Sequence, residues 1–260
     1  MAAAWIGWVI AKGDPFATWN PEIFMILLST VFFVGASNIL NDLTDVETDR
    51  ISHPSRYLPD ERLRRGEAIT IMSCEFFFSY MLVTVVSFLL NNHLPISIFL
   101  IAIMIDIAYE WLLKKNGLIG NLIVSLSVGL PFLYGASLIG VNWIHIVIFL
   151  MASFSNVSRE IVKDVQDMEG DLSTRDTLPN EIGEKRSLLV SGFFIITAVV
   201  LSFLPIIFGS DSAVYVIPVI FADIIFLYSL ERSFTSPKKA QIMIKVGMVF
   251  ALFAFFGLAF

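Results

Sequence analysis

This sequence predicts an all-α, polytopic membrane bundle of about nine transmembrane helices, and three observations carry that expectation. The chain divides into continuous apolar runs of bilayer length. Only 15% of its 260 residues are charged, where a soluble domain carries about a quarter. Its basic residues gather into a few segments instead of covering a surface. A mean hydropathy of +0.79 agrees. The runs do not alternate with a period of two, so helices are expected rather than the strands of a barrel.

Taken in order, the spans are expected near 22–41, 69–90, 94–113, 118–140, 142–158, 188–208, 213–230 and 240–260, each close to the roughly 20 residues a bilayer requires. A ninth, at 1–11, is short, as though the chain began partway into its first helix. Asn20-Pro21, Asn91-Asn92-His93, Lys114-Lys115-Asn116-Gly117 and Ser236-Pro237 punctuate the runs. The N-terminus lacks a basic start and runs straight into apolar sequence, so no cleavable signal is expected.

Charge then orients the bundle. Of 17 Lys and Arg, 15 fall in or beside four segments, around Arg50–Arg65, Lys114–Lys115, Arg159–Arg186 and Arg232–Lys239. Nine spans place all four on one side, which the excess of positive charge assigns to the cytoplasm. The expected protein is therefore an integral, multi-pass protein of the cell membrane, one domain over 1–260, with two long cytoplasmic loops at 42–68 and 159–187. Loops of that length are usually functional. The single cysteine, Cys74, excludes an internal disulfide framework and a cysteine metal cluster. The net charge of −6 makes nucleic acid an unexpected partner.

Much of the acid is concentrated in two copies of one pattern, Asp-x-x-Asp-x-Glu-x-Asp, 122 residues apart: Asp42, Asp45, Glu47 and Asp49, then Asp164, Asp167, Glu169 and Asp171. Carboxylates at the membrane edge are costly and usually mark a site. On a helix continuing from the second span at 100° per residue, with Asp45 at zero, Asn41 falls at about −40°, Asp49 at +40° and Asp42 at +60°. Glu47 points away, near 200°. Lys163, Asp164, Asp167 and Asp171 repeat this face in the second copy, with Glu169 pointing away. Such carboxylates repel one another unless cations lie between them, and Mg²⁺ takes one or two carboxylates per ion with water and phosphate oxygens. Two facing sets suit a diphosphate bridged by metal ions, with Arg50, Arg56 and Lys163 near enough in sequence for direct phosphate contacts. Solvated helix-end acids paired with neighbouring arginines explain a single copy equally well; two copies of matching spacing favour the site. The offset also suggests two related helical halves around a central cavity.

Other polar residues carry weaker signals. Asp106 and Glu110 share a helix face, with Tyr109 beside them, and a helix–helix hydrogen bond explains them as well as substrate contact does. Lys114 stands at the end of a span, either as a snorkelling lysine or as a phosphate ligand outside the metal site. Asn121 either bonds across helices or lines a cavity. His53, His93 and His145 lack metal-ligand spacing and read as loop or interfacial residues. Glu75 and Asp223 lie alone in apolar runs without a sequence explanation.

With these residues in hand, the chain resembles the UbiA superfamily of intramembrane prenyltransferases. Asn41-Asp42-x-x-Asp45-x-x-x-Asp49 resembles that family's first aspartate-rich motif, Asp164-x-x-Asp167-x-x-x-Asp171 its second, and Tyr109…Lys114…Gly120-Asn121 the region after its fourth span. Arg159-Glu160-x-x-Lys163-Asp164, with Thr177-Leu178-Pro179-x-x-x-Gly183 following, is most similar to the archaeal digeranylgeranylglyceryl phosphate synthases within it. The resemblance implies Mg²⁺ held by both motifs, geranylgeranyl diphosphate as donor, a lipophilic acceptor (geranylgeranylglyceryl phosphate) and transfer through an allylic cation. It implies metal contacts from Asn41, Asp42, Asp45, Asp49, Asp164, Asp167 and Asp171, and substrate contacts from Arg50, Arg56, Tyr109, Lys114, Asn121 and Lys163. Two features depart from the family. Its Arg-Pro start of the first helix is missing, and the stretch after Asp49 (DRISHPSRYLPDERLRRGEA) replaces a more Pro-Ser-Gly-like segment, although Arg56 matches the family's loop arginine. Competing readings are an aromatic-acceptor prenyltransferase of quinone or haem biosynthesis and, in another class, a secondary transporter. The latter would place its acids nearer the midplane on broken helices.

Overall fold

The computed structural model describes residues 1–18, 20–114, 116–171 and 177–260, with backbone only at 52 and 169–171. Every regular element described is helical: α1 Ala2–Lys12, α2 Pro21–Thr44, α3 Val46–Ser52, α4 Arg65–Leu89, α5 Leu94–Ala108, a π-helical turn at Tyr109–Leu113, α6 Gly117–Ala136, α7 Trp143–Asp171, α8 Leu178–Ile182, α9 Glu184–Ile207, α10 Ala213–Ser233 and α11 Pro237–Gly257. Eight helices are long and apolar enough to cross a membrane, with α5 and the π turn forming one, and α1 is a ninth, shorter apolar helix of 11 residues.

The ends follow local chemistry. Asn20 caps α2 by accepting from the Ile23 amide at 2.9 Å, and Pro21 occupies the first turn, where a missing N–H is harmless. The Glu67 carboxylate reaches back to the Arg64 amide at 2.9 Å to start α4. Gly13 ends α1 in the left-handed conformation with φ of 63°.

The two halves correspond. Pro21 opens α2 and Trp143 opens α7; Arg65 and Glu184 open α4 and α9; Leu94 and Ala213 open α5 and α10; Gly117 and Pro237 open α6 and α11, a displacement of 119–122 residues each time. In each half the first long helix packs on the second, α2 on α4 and α7 on α9, while α6 packs on both α1 and α7. The short α1 lies deep: Trp8 and Val9 are essentially inaccessible. Gly7 lies against the backbone of Phe132, and Gly135 against that of Ala4, so α1 and α6 touch at distances no larger residue permits.

Solvent preference is reversed relative to a water-soluble domain. Phe77, Phe88, Phe193, Phe203 and Phe253 face outward, while Ser29, Ser79, Ser158, Ser191 and Ser202 are buried. Hydrogen bonds between helices satisfy these serines: Ser29 with Ser79 at 3.2 Å, and Ser158 with Ser191 at 2.8 Å. Asp223 finds its partner here, accepting from Ser202 at 2.8 Å. Glu75 lies where α4 crosses α2, its carboxylate filling the space above Gly35, and its Oε2 has no hydrogen-bond partner among the described residues.

Three expectations are corrected. Helix runs on into both expected loops, to Ser52 in the first and to Asp171 in the second, because no proline or glycine occurs between Asn41 and His53 or between Arg159 and Met168 to end the spans, while 53–64 remains non-helical. Against the single helix drawn through the first motif, the chain leaves α2 at Asp45 (φ −93°, ψ 1°) and resumes as α3. His145, read as a loop or interfacial residue, is fully buried near the start of α7, where Nδ1 accepts from the Asn142 amide at 3.1 Å and Nε2 lies 3.0 Å from the Gly7 carbonyl.

Candidate active site

The first motif meets its partners where α2, α3 and the π turn come together. Despite the break at Asp45, spacing of the α-helical kind persists, with the Asp45 amide bonded to Asn41 O at 2.9 Å and the Asp49 amide to Asp45 O at 2.8 Å. Asp42 and Asp49 therefore remain on one side, and Arg56 bonds both, at 3.2 Å and 2.6 Å. His53 Nδ1 lies 3.4 Å from the other Asp49 oxygen. Asp45 turns instead to Lys114, at 2.8 Å. Glu47 is exposed and paired only loosely with Arg50, at 3.4 Å, which leaves Arg50 among the outward-facing residues.

A ladder of polar pairs joins α2 to α5 and the π turn. Ser37 donates to Asp106 Oδ1 at 2.7 Å, Asn41 to Glu110 Oε1 at 2.8 Å, and Lys114 to Asp45 Oδ2 at 2.8 Å. Both strips advance by four residues per rung, which drifts about 40° from an α-helical face each time. The wider π turn, closed by the Lys114 amide on Tyr109 O at 2.8 Å, offsets this drift at its last step. Glu110 is the hub, accepting also from Thr44 at 2.7 Å and from Lys114 at 2.8 Å. The Lys114 ammonium lies 5.9 Å from the centre of the Tyr109 ring. Lys114, expected outside the metal site, is thus bonded to a motif aspartate and also to Glu110, which in the sequence is only one of two acids on a helix face.

The second motif rides on α7. Asn121, from the first turns of α6, donates to Asp164 Oδ2 at 2.7 Å. Gly120 lets the start of α6 lie against the π turn, since a side chain there would meet Leu113 O at 2.5 Å. The eight residues from Lys114 to Asn121 thus carry a ligand to each motif, Lys114 to the first and Asn121 to the second. Asp167 is half-buried and accepts from Gln166 at 3.0 Å. Lys163 lies 3.6 Å from Glu160, which also pairs with Arg159. The expectation for Asp171, like that for Glu169, falls on a side chain outside the described residues.

These donors suit a hard divalent cation. Asp45 and Glu110 share one ammonium, and Asp42 and Asp49 share one guanidinium, so each group retains a negative charge. Among the described residues no three acids or histidines converge as a ready-made metal cage. That arrangement fits Mg²⁺, which takes few protein carboxylates and completes its shell with water and phosphate oxygens.

A model of the UbiA prenyltransferase family matches residues 1–258. The chain belongs to this family. It is accordingly a prenyltransferase, integral to a membrane. Among curated relatives, the digeranylgeranylglyceryl phosphate synthase of Methanococcus maripaludis strain C6 is 38% identical over 242 residues, covering 89% of this chain and 84% of its own. The synthase of Methanosarcina mazei is 37% identical, covering 88% and 80%. A solved structure described for digeranylgeranylglyceryl phosphate synthase superposes with a TM-score of 0.84 at 29% identity, over 99% of this chain and 91% of that one. A UbiA homologue from Archaeoglobus fulgidus bound to GPP and Mg²⁺ shares the fold, with a TM-score of 0.68 at 19% identity over 99% and 97%.

Proposed function

We propose that this UbiA-family enzyme transfers a geranylgeranyl group from its diphosphate to geranylgeranylglyceryl phosphate, with Mg²⁺, from the cytoplasmic side of the cell membrane. The observation that carries the reading is the Lys114-to-Asn121 connection, which ties both acidic motifs to one point at the end of the bundle. Relatives named for this activity, at 37–38% identity, support the acceptor. The described residues of all four basic segments lie at or between the helix ends on the side that bears the motifs, which supports the cytoplasmic orientation.

In this reading Asp42, Asp45, Asp49, Asp164, Asp167 and Asp171 hold the metal ions, with Asn41 beside them. Bound Mg²⁺ neutralises the diphosphate and makes it a better leaving group. Arg56 and Lys114 supply the direct cationic contacts, and Asn121 fixes the orientation of Asp164. Arg50, Lys163 and Tyr109 stand at the margin. An apolar cavity of about 240 Å³ between α1, α6, α7, α9, α10 and α11, lined by Phe132, Met151, Phe226, Met248, Leu252 and Phe255, offers a hydrocarbon tail an apolar lining.

The test is an assay of purified protein with geranylgeranyl diphosphate, Mg²⁺ and a panel of acceptors, read by mass spectrometry. The expected product is geranylgeranylglyceryl phosphate carrying one further geranylgeranyl group. Transfer to phenolic acids, with none to the glyceryl phosphate, would replace this acceptor with an aromatic one.

A further inference from the structure

Asp106 differs from every other acid on the α2-facing ladder. Glu110, four residues on, has both oxygens engaged, and Asp45 is bonded to Lys114. Asp106 has Oδ1 taken by Ser37 at 2.7 Å, while its buried Oδ2 has no hydrogen-bond partner among the described residues. A buried carboxylate oxygen without a donor is costly and calls for an explanation. Asp106 also lines a second cavity, of about 180 Å³, which runs along α2, α5 and α6 past Phe99 and Leu130 to Ser29 and Tyr134. Ser29 and Tyr134 bond each other at 2.7 Å at its far end.

Depth places this oxygen relative to the chemistry. Asp106 lies one helical turn, about 5.4 Å, beyond the Asn41–Glu110 rung and two turns, about 11 Å, beyond Asp45–Lys114. A diphosphate gripped at the Asp45–Lys114 level must direct its prenyl carbon C1 into the bundle, toward Asp106. A glyceryl phosphate acceptor keeps its own phosphate at the polar end and extends its one free hydroxyl inward, to meet C1.

We propose that Asp106 is the proton acceptor for the attacking hydroxyl, a catalytic role that rests on the hydroxyl-acceptor reading above. The hydroxyl hydrogen-bonds to Asp106 Oδ2, and its oxygen forms the new bond to C1. The C1–oxygen bond to diphosphate breaks, the electron pair leaving with the diphosphate. The hydroxyl proton passes to Oδ2, and the neutral carboxylic acid returns it to water after product leaves. Ser37 holds Oδ1 throughout and so fixes the carboxylate plane.

The test compares wild type, Asp106→Asn and Asp106→Glu as full-length protein with geranylgeranyl diphosphate and geranylgeranylglyceryl phosphate. Binding of an unreactive geranylgeranyl diphosphate analogue is measured alongside. Asparagine keeps the bond from Ser37 and the shape but cannot take a proton, so kcat should fall about 100-fold or more, a general-base loss. Both KM values and analogue binding should stay within about twofold, the sign of an interaction used in turnover only. Glutamate, a displaced base, should restore part of the rate. An Asp106→Asn kcat close to wild type would overturn the proposal and leave the departing diphosphate as the proton acceptor. Loss of analogue binding in both variants would assign Asp106 to helix packing and equally overturn it. Wild type failing with the glyceryl phosphate while transferring to another acceptor would instead overturn the acceptor reading.

Discussion

Asp45→Asn and Asp167→Asn are each expected to lower prenyl transfer by about 10³-fold, the scale of losing a preorganised electrostatic partner of the leaving group. Glu47→Gln and Glu169→Gln are expected to leave it within about twofold, as surface charges do. The four residues belong to one repeated pattern, so sequence composition does not separate them; geometry does. Asp45 faces inward onto Lys114, whereas the Glu47 side chain is 77% exposed and, among the described residues, pairs with Arg50 at 3.4 Å. Asp167 is half-buried on α7. For Glu169 the expectation rests on the 100° step along that helix. Initial rates at saturating donor and acceptor check it. Equal losses in all four variants would overturn the division into an inner and an outer face.

Lys114→Ala should depress donor use about 10- to 100-fold whichever acceptor is supplied, the worth of a charge-assisted hydrogen bond. From sequence alone Lys114 stood apart from the metal site as a candidate for the acceptor's phosphate. Its bonds to Asp45 and Glu110, at 2.8 Å each, and its 10% side-chain exposure move it to the donor side. Removing it also leaves two partly buried carboxylates without their shared cation. The check is a pair of KM measurements with analogue binding. A rise confined to the acceptor KM would return Lys114 to the acceptor phosphate.

The spans were legible because bilayer length and hydropathy are local properties, and seven of the eight long helices begin within about four residues of a polar or proline break or a basic cluster. The repeated motif was legible for the same reason: spacing survives in sequence. The turn at Asp45 was not, because nothing between Asn41 and His53 breaks a helix, and the deviation arises where α2 meets the π turn. The π turn itself carries no residue signature. The rungs Ser37–Asp106, Asn41–Glu110 and Asp45–Lys114 join helices 69 residues apart in sequence, a pairing that only packing reveals. Asp106 and Glu110 look alike on one helix face; Glu110 has both oxygens bonded, whereas Asp106 keeps a buried oxygen without a partner among the described residues. Arg50 and Arg56, both near the motif in sequence, separate in space because only Arg56 reaches Asp42 and Asp49.

The central claim is that both acidic motifs hold one metal-bridged diphosphate. Equilibrium binding of an unreactive geranylgeranyl diphosphate analogue to the purified protein tests it most directly, with Mg²⁺ or with EDTA, in wild type, Asp45→Asn and Asp167→Asn. Tight binding in wild type with Mg²⁺, lost in EDTA and lost alike in each single variant, is the expected result. Undiminished binding in EDTA, or in either variant, would contradict it.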